Sequence, residues 1–205
     1  MMKIIKCKKE FIDQVAAIFV EAFADSIEFF VKPDKKTVEA FRDVFKLLLK
    51  TFPNSFFVAV DETDQVIGYI IVTSNIKKLW LQSIRTGFVF IAFFKWISGR
   101  YGISLKTALK VIHNKLHYII FEESTENCAQ ILSIAVESKW QGRGLGKQLV
   151  SSGLDYLKKE GIKKVKLEVR PDNFPAKKIY ESFGFKAVDK AEDLQGKWII
   201  MKVNL

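Results

Sequence analysis

A glycine-rich loop in the C-terminal third of the chain is the first candidate for chemistry. It reads Gln141-Gly142-Arg143-Gly144-Leu145-Gly146-Lys147, between the apolar, partly β-branched residues 131–136 and a helical pattern that ends near Gly161. Glycine tolerates positive φ and lets a ligand approach the main chain, while free N–H groups at a helix N-terminus attract negative charge. The loop therefore predicts a pyrophosphate site, although a glycine turn that only ends a strand has the same appearance.

Two common phosphate-binding motifs do not fit this loop. A Walker A loop has four residues before its Gly-Lys and then Ser or Thr, whereas three residues separate Gly142 from Gly146-Lys147, and Gln148 follows. The dinucleotide fingerprint G-x-G-x-x-G also fails, because the spacing is G-x-G-x-G. The expected ligand is therefore another phosphate carrier.

A second pattern follows the loop and its helix. Residues 163–169 alternate between apolar and polar side chains, which predicts a strand with one buried face. Beyond it, Asn173 can cap a helix whose first turn holds Pro175 and which Gly184 ends. Strand, glycine loop, helix, strand and helix therefore follow one another from residue 131 to residue 184.

In this order, the Q-x-x-G-x-G loop and the pattern E-V-R-x-x-N-x-x-A-x-x-x-Y-x-x-x-G-F from Glu168 to Phe185 resemble the GNAT superfamily of acetyl-CoA-dependent N-acetyltransferases. The second pattern is similar to that of enzymes that acetylate the N-terminal amine of ribosomal proteins. The resemblance implies an α/β (α+β) fold with a mixed, mainly antiparallel central sheet flanked by helices, forming a single domain over residues 1–205. It also implies acetyl transfer from acetyl-CoA to a primary amine of a protein N-terminus or a small molecule.

The resemblance assigns the catalytic groups as well. Acetyl transfer to an amine needs a neutral, aligned amine and a proton for the departing thiolate. By resemblance, Tyr180 is the general acid toward the coenzyme sulfur and Glu168 is the candidate base, acting through water. Glu137 and Glu123 remain alternative bases, since a strand glutamate is commonly solvated or ion-paired.

The same resemblance implies a set of coenzyme contacts and no metal. The backbone of Ala135 and Val136 is expected to pair with the pantetheine arm, which Asn173 also contacts while the small Ala176 allows close approach. Lys177 or Lys178 could meet the 3′-phosphate or belong to a solvated helix face. The residues expected to hold the pyrophosphate are Gln141, Gly142, Arg143, Gly144, Leu145, Gly146 and Lys147.

Two other function classes stay open beside the enzyme. A catalytically silent acyl-CoA-binding or regulatory domain on the same fold is the main alternative, and the intact Tyr180 favours the enzyme. Nucleic-acid binding is disfavoured, because the basic residues alternate with bulky aliphatic ones and no nucleic-acid-binding module is present.

The resemblance is interrupted at about residues 75–121, where the sequence predicts a helical insertion between the third and fourth strands. Residues 66–121 contain eight Lys or Arg and no Asp or Glu, so much of the net charge of +10 is local. Residues 86–94 are uncharged, rich in Phe and too short to span a bilayer, and residues 104–116 read as an amphipathic helix. The insertion is expected to form a lid over the acceptor site or a homodimer contact, with peripheral contact to an anionic membrane as the alternative.

The remaining sequence bounds the class of protein. Cys7 and Cys128 form no disulfide framework, and His113 and His117 lack the glutamate of a zincin motif. Lysines interrupt the apolar residues of the N-terminus, so no signal peptide is expected and a cytoplasmic location is the default.

Further predictions are a strand near residues 3–8, a hairpin across 61–65 and two apolar helix stripes. The first stripe is Ile12, Val15, Ile18, Phe19, Ala22 and Phe23, and the second is Val38, Phe41, Val44, Phe45 and Leu48.

Overall fold

The chain folds around a seven-stranded sheet in a computed structural model that describes residues 2–110 and 128–205. The strand order is β1-β2-β3-β4-β5-β7-β6. Neighbouring described strands are antiparallel except β4 and β5, which confirms the predicted mixed, mainly antiparallel sheet. The strands are β1 (Lys3–Lys6), β2 (Phe56–Val60), β3 (Val66–Thr73), β4 (Cys128–Val136), β5 (Lys164–Val169), β6 (Lys186–Asp193) and β7 (Gly196–Asn204).

Helices cover both faces of the sheet. Short 3₁₀ turns at Lys9–Phe11 and Ser138–Trp140 precede α1 and the glycine loop, and residues 105–110 are helical as well. The labelled helices are α1 (Ile12–Ala22), α2 (Ala24–Glu28), α3 (Lys35–Thr51), α4 (Lys77–Arg85), α5 (Phe88–Ile97), α6 (Leu145–Lys159) and α7 (Phe174–Ser182).

Strand β3 lies at the centre of the core, because all of its residues are buried. Tyr69 and Ile71 pack into an aromatic cluster with residues of α1 and α3, including Phe45. Ile70 and Val72, which point to the opposite face, pack with residues of α6 such as Leu149. Alternate side chains of one strand thus join two hydrophobic layers.

The parallel pair β4 and β5 stays together over three registered pairs, from Cys128 opposite Lys164 to Gln130 opposite Lys166. Beyond that point β4 continues along β3 and β5 continues along β7, so the sheet opens between them. Within β4, Ser133 lies opposite Ile71 and Ile131 opposite Val72, which leaves Leu132 as the extra residue of a β-bulge.

Most of the predicted elements are confirmed. The hairpin turn at residues 61–65 is closed by Asp61, whose Oδ1 accepts bonds from the amides of Thr63 and Gln65 at 2.8 and 3.0 Å. Each of the two predicted helix stripes is wrong at one position, because Ala22 at the end of α1 and Val44 of α3 are both exposed. The inward face of α3 runs through Phe41, Phe45 and Leu48, and Val44 lies outside it.

The described part of the insertion consists of α4, α5 and residues 99–110, and it packs on α3 rather than joining the sheet. Lys95 and Tyr101 both bind Asp43 of α3, with the Lys95 Nζ at 2.6 Å and the Tyr101 hydroxyl at 2.9 Å from Oδ2. The predicted amphipathic helix at 104–116 is helical at 105–110 but not at Ser104, and residues 111–116 lie outside the described residues, as do His113, His117 and Glu123.

Candidate active site

The opening between β4 and β5 places the predicted coenzyme-contacting strand residues at a parted edge of the sheet. Ala135 pairs with Tyr69 and Val136 with Gly68 on the β3 side, so the other edge of both residues faces the opening. A Cβ at position 68 would come within 3.0 Å of the Ala135 carbonyl oxygen, so glycine lets β3 approach β4 closely here. The backbone of β4 can therefore accept an extended ligand as an added strand.

The glycine loop leaves a row of amide groups without acceptors. In the part of the chain that the structure describes, the N–H groups of residues 142–147 donate to no backbone or side-chain acceptor. The first intrahelical bond comes after them, from the amide of Gln148 to the carbonyl of Gly144 at 3.2 Å. A helix N-terminus supplies some such donors, and the turn before α6 extends the row.

Two glycines give this loop its shape. Gly142 and Gly144 have φ of +74° and +79°, and Gly144 is the N-cap of α6. Residues other than glycine rarely adopt a positive φ of this size. A Cβ on either residue would meet nothing within 4 Å, so the backbone conformation, not crowding by described residues, requires glycine.

The side chains of the loop hold it in place and add positive charge. The amide nitrogen of Gln141 donates to the Val136 carbonyl at 3.0 Å, which ties the loop to the end of β4. The Arg143 guanidinium lies 4.9 Å from the ring centroid of Trp140, and Lys147 is exposed. With free amides, the helix dipole and two cations, the loop is suited to bind a di-anionic group.

Tyr180 is buried on α7 in the cluster that joins α6 to the sheet. Its ring packs edge-on against Phe185 with centroids 5.9 Å apart, and its hydroxyl has no hydrogen bond to any described residue. Burial raises the pKa of Tyr180 to about 12, so the phenol keeps its proton at neutral pH. A buried, protonated phenol can donate that proton to a stronger base formed beside it.

The candidate bases lie in different surroundings. Glu168 is half-buried in β5, opposite Ile200 of β7, on the strand face away from the buried Leu167. Glu137 follows β4, and its carboxylate forms an ion pair with Lys139 at 2.8 Å.

The start of α7 carries the second set of predicted contacts. Asn173 is the N-cap of α7, and its Oδ1 accepts a hydrogen bond from the Ala176 amide at 3.1 Å. This bond caps the helix N-terminus. Lys177 donates to the Pro171 carbonyl at 3.3 Å, whereas Lys178 is exposed and free of such a bond. Of the two lysines, Lys178 is therefore the better candidate for a phosphate.

One group of side-chain contacts near Glu168 could not be predicted from the sequence. Arg170 follows β5, donates to the Gln195 carbonyl at 2.7 Å and lies 4.4 Å from the ring centroid of Trp198. The side-chain amide of Gln195 in turn donates to the Ser26 carbonyl at 2.7 Å, which joins the β6–β7 turn to α2. The two ends of this bridge are too distant in sequence for local patterns to predict it.

No group of three or more His, Cys, Asp or Glu residues forms a metal-binding cluster within residues 2–110 and 128–205. The candidate parts of a site are a loop suited to bind an anion, a parted strand edge, a buried tyrosine that is protonated at neutral pH and a half-buried glutamate. These are the parts that a transfer reaction on a phosphate-bearing carrier needs.

Comparisons with known proteins agree with this chemistry. The family model described as "Acetyltransferase (GNAT) family" matches residues 19–185. A mycothiol acetyltransferase of Renibacterium salmoninarum is 38% identical over 60 residues, which are 29% of this chain and 18% of that protein. A candidate ribosomal protein bS18-alanine N-acetyltransferase of Bacillus subtilis is 32% identical over 79 residues, 35% of this chain and 52% of that protein.

The fold has close counterparts among solved structures. The crystal structure of SsHAT superposes with a TM-score of 0.72 at 20% identity, covering 99% of this chain and 98% of that one. At that identity the match concerns the fold alone. The sequence relatives are matched over about half of their length at most, so the local motifs, more than whole-chain similarity, connect this chain to them.

Proposed function

Because this chain belongs to the GNAT family of acetyltransferases, we propose that it transfers the acetyl group of acetyl-CoA to a primary amine of a protein N-terminus or a small molecule. The observation that carries this proposal is the combination of the parted β4 and β5 strands with the unbonded amides of residues 142–147. The parted edge suits an amide-containing arm, and the amides suit a pyrophosphate.

The coenzyme is held by backbone groups in this proposal. The amides of residues 142–147 bind the pyrophosphate, while Arg143 and Lys147 balance its charge. The free edges of Ala135 and Val136 hydrogen-bond the pantetheine arm, whose other side meets Asn173 and Ala176 on α7. This places the thioester, which supplies the activated acetyl group, in the opening between β4 and β5.

The reaction then needs two proton transfers, one to a side chain of the protein and one from another. Glu168, through a water molecule, takes a proton from the acceptor amine as the nitrogen bonds to the acetyl carbon. Tyr180 gives its proton to the sulfur as the carbon–sulfur bond breaks, so free coenzyme A leaves as a thiol. Because burial keeps the phenol protonated at neutral pH, the proton is present on Tyr180 when the thiolate departs.

The acceptor amine must be neutral when it attacks. An α-amine of pKa about 8 is roughly one-tenth neutral at pH 7, and a lysine near 10.4 far less, so an α-amine needs less help from the base. The similarity to a candidate alanine N-acetyltransferase favours a protein N-terminus. The similarity to mycothiol acetyltransferases favours a small-molecule acceptor.

The experiment that tests this function measures both the transfer of a labelled acetyl group and the release of coenzyme A thiol. The purified protein is incubated with isotopically labelled acetyl-CoA and a lysate, and labelled amines are identified by mass spectrometry while released thiol is titrated. We expect labelled N-acetyl amides, formed from primary amines, and an equal amount of free coenzyme A, with both reduced in Tyr180→Phe. Binding of acetyl-CoA with no labelled amine and no thiol above background would contradict transfer and favour a silent coenzyme-binding domain.

A further inference from the structure

Helix α5 exposes an apolar face that packs against no described element. Phe90, Phe94 and Ile97 are 65%, 68% and 62% exposed. Their spacing of four and then three residues places them on one side of the helix. Phe93, which is 50% exposed, borders the same side. An isolated exposed apolar side chain is ordinary, but a continuous face of this kind marks an interaction surface.

Polar contacts on the other side of α5 fix this orientation. Lys95 points inward to Asp43 at 2.6 Å and to Glu39 at 3.7 Å. The indole nitrogen of Trp96 donates to the Ile103 carbonyl at 2.7 Å. Rolling the phenylalanines into the protein would break these bonds and expose Trp96, so the apolar face stays outward.

The neighbouring helical segments of the insertion carry further exposed apolar and basic side chains. On α4, the exposed Leu81 and Ile84 lie beside Arg85, and in residues 105–110 Leu105 and Leu109 lie beside Lys106 and Lys110. Among the described residues, none of these three basic side chains forms an ion pair. We call the exposed apolar and basic side chains of the described insertion the insertion face; they are Leu81, Ile84, Arg85, Phe90, Phe93, Phe94, Ile97, Arg100, Leu105, Lys106, Leu109 and Lys110.

The positive charge of the insertion favours one kind of binding partner over another. Residues 66–121 contain no Asp or Glu, so a second copy docking through the same face would bring like charges together. An anionic lipid surface pairs with the basic side chains while its acyl region takes up the phenylalanines. In the described ranges no helix has the length and hydropathy to cross a bilayer.

We propose that the insertion face binds the surface of an anionic lipid bilayer, with α5 lying along the interface. The exposed phenylalanines enter the boundary between headgroups and acyl chains, and the surrounding Lys and Arg side chains contact lipid phosphates or carboxylates. This interaction is separate from the acetyl-transfer site and does not depend on it.

Sedimentation of the full-length protein with vesicles tests the apolar part. We expect binding to phosphatidylglycerol–phosphatidylcholine vesicles and little binding to phosphatidylcholine alone. The double variant Phe90→Ser, Phe94→Ser should lose at least tenfold in affinity for the anionic vesicles. The matched control is Phe29→Ser, since Phe29 is 54% exposed on the body of the protein and outside the insertion. Unchanged circular dichroism shows that each variant is folded.

A charge-matched pair tests the basic part. Replacing Arg85, Arg100, Lys106 and Lys110 by Gln should weaken binding and reduce its salt dependence, whereas the same change at the exposed Lys158, Lys159, Lys163 and Lys164 should leave both nearly unchanged. Equal effects of the two sets would overturn the proposal, because net charge alone would then explain binding. So would no binding to anionic vesicles, or a concentration-dependent dimer that Phe90→Ser, Phe94→Ser dissociates in the absence of lipid.

Discussion

Gly146 of α6 lies against Ile179 of α7, such that a Cβ at position 146 would come within 3.1 Å of the Ile179 Cδ1. Gly146 belongs to the proposed pyrophosphate loop, and Ile179 directly precedes the proposed acid Tyr180. The contact therefore sets how closely the helix that begins in the proposed pyrophosphate loop packs against the helix that carries the proposed acid. Close helix packing gives Gly146 a role in addition to any approach of phosphate to its backbone.

Gly144→Glu should abolish acetyl-CoA binding, measured by titration calorimetry. The carboxylate repels the pyrophosphate, and the residue must adopt the φ of +79° that Gly144 has. The fold should survive, because nothing described lies within 4 Å of the new Cβ.

The matched control for that change is Gly161→Glu, at the other end of α6. Gly161 has φ of +75° and is equally uncrowded, so it carries the same backbone strain and the same added charge. Its affinity for acetyl-CoA should match that of the unaltered protein. An equal loss in both variants would show that strain, not the anion site, controls binding.

Gly146→Ala should be better tolerated when Ile179 is also replaced by Val, because valine lacks the Cδ1 that the new methyl group meets. A double-mutant cycle from urea unfolding should give a coupling energy of about 1 kcal/mol. Additive effects of the two changes would mean that α6 and α7 separate freely at this contact.

Tyr180→Phe should lower turnover by about a hundredfold and change the affinity for acetyl-CoA by less than about threefold, because it removes the proton donor but keeps the ring. Burial raises the pKa of Tyr180 from 10.0 to about 12, so its proton is retained from neutral pH to beyond 10.0. The kcat/KM profile of the unaltered protein should therefore show no Tyr180-dependent fall with a midpoint near 10.0. Turnover of Tyr180→Phe within threefold of the original would exclude this residue as the acid.

Glu168→Gln should remove the acidic limb of the kcat/KM profile, where activity rises as the base loses its proton. Glu137→Gln is the comparison, because the carboxylate of Glu137 already pairs with Lys139 at 2.8 Å. We expect the limb to persist in Glu137→Gln. The reverse result would move the base to the end of β4.

The sequence predicts the local parts of this site better than their assembly. Periodicity, glycines and the Asn173 cap act over a few residues, so the loop, β5 and α7 could be placed from sequence. The parting of β4 from β5, the Leu132 bulge and the bridge from Gln195 to Ser26 depend on residues far apart in the chain. Val44 was misassigned because an apolar residue beside the inward face of α3 fits the same helical period.

The final prediction concerns Asp43, which anchors the insertion. Burial alone would raise its pKa, but hydrogen bonds from Lys95 and Tyr101 outweigh burial and lower it below 3.8. A lowered pKa in the folded protein means that the stabilisation is present above 3.8 and is lost as pH falls through the folded value. Asp43→Asn should cost about 2 kcal/mol at neutral pH, because it removes the nearer of the two carboxylates that pair with the partly buried Lys95 and leaves only Glu39 at 3.7 Å.

Urea unfolding at neutral and acidic pH measures this cost, and the difference between Asp43→Asn and the unaltered protein should shrink below pH 3.8. Asp64→Asn is the control, because it breaks an exposed bridge to Lys3 at a residue of φ +57° that asparagine also tolerates. Its effect should be much smaller. Equal losses in the two variants would mean that the Asp43–Lys95 pair contributes no more than a surface bridge, and that other contacts hold α5 with its phenylalanines outward.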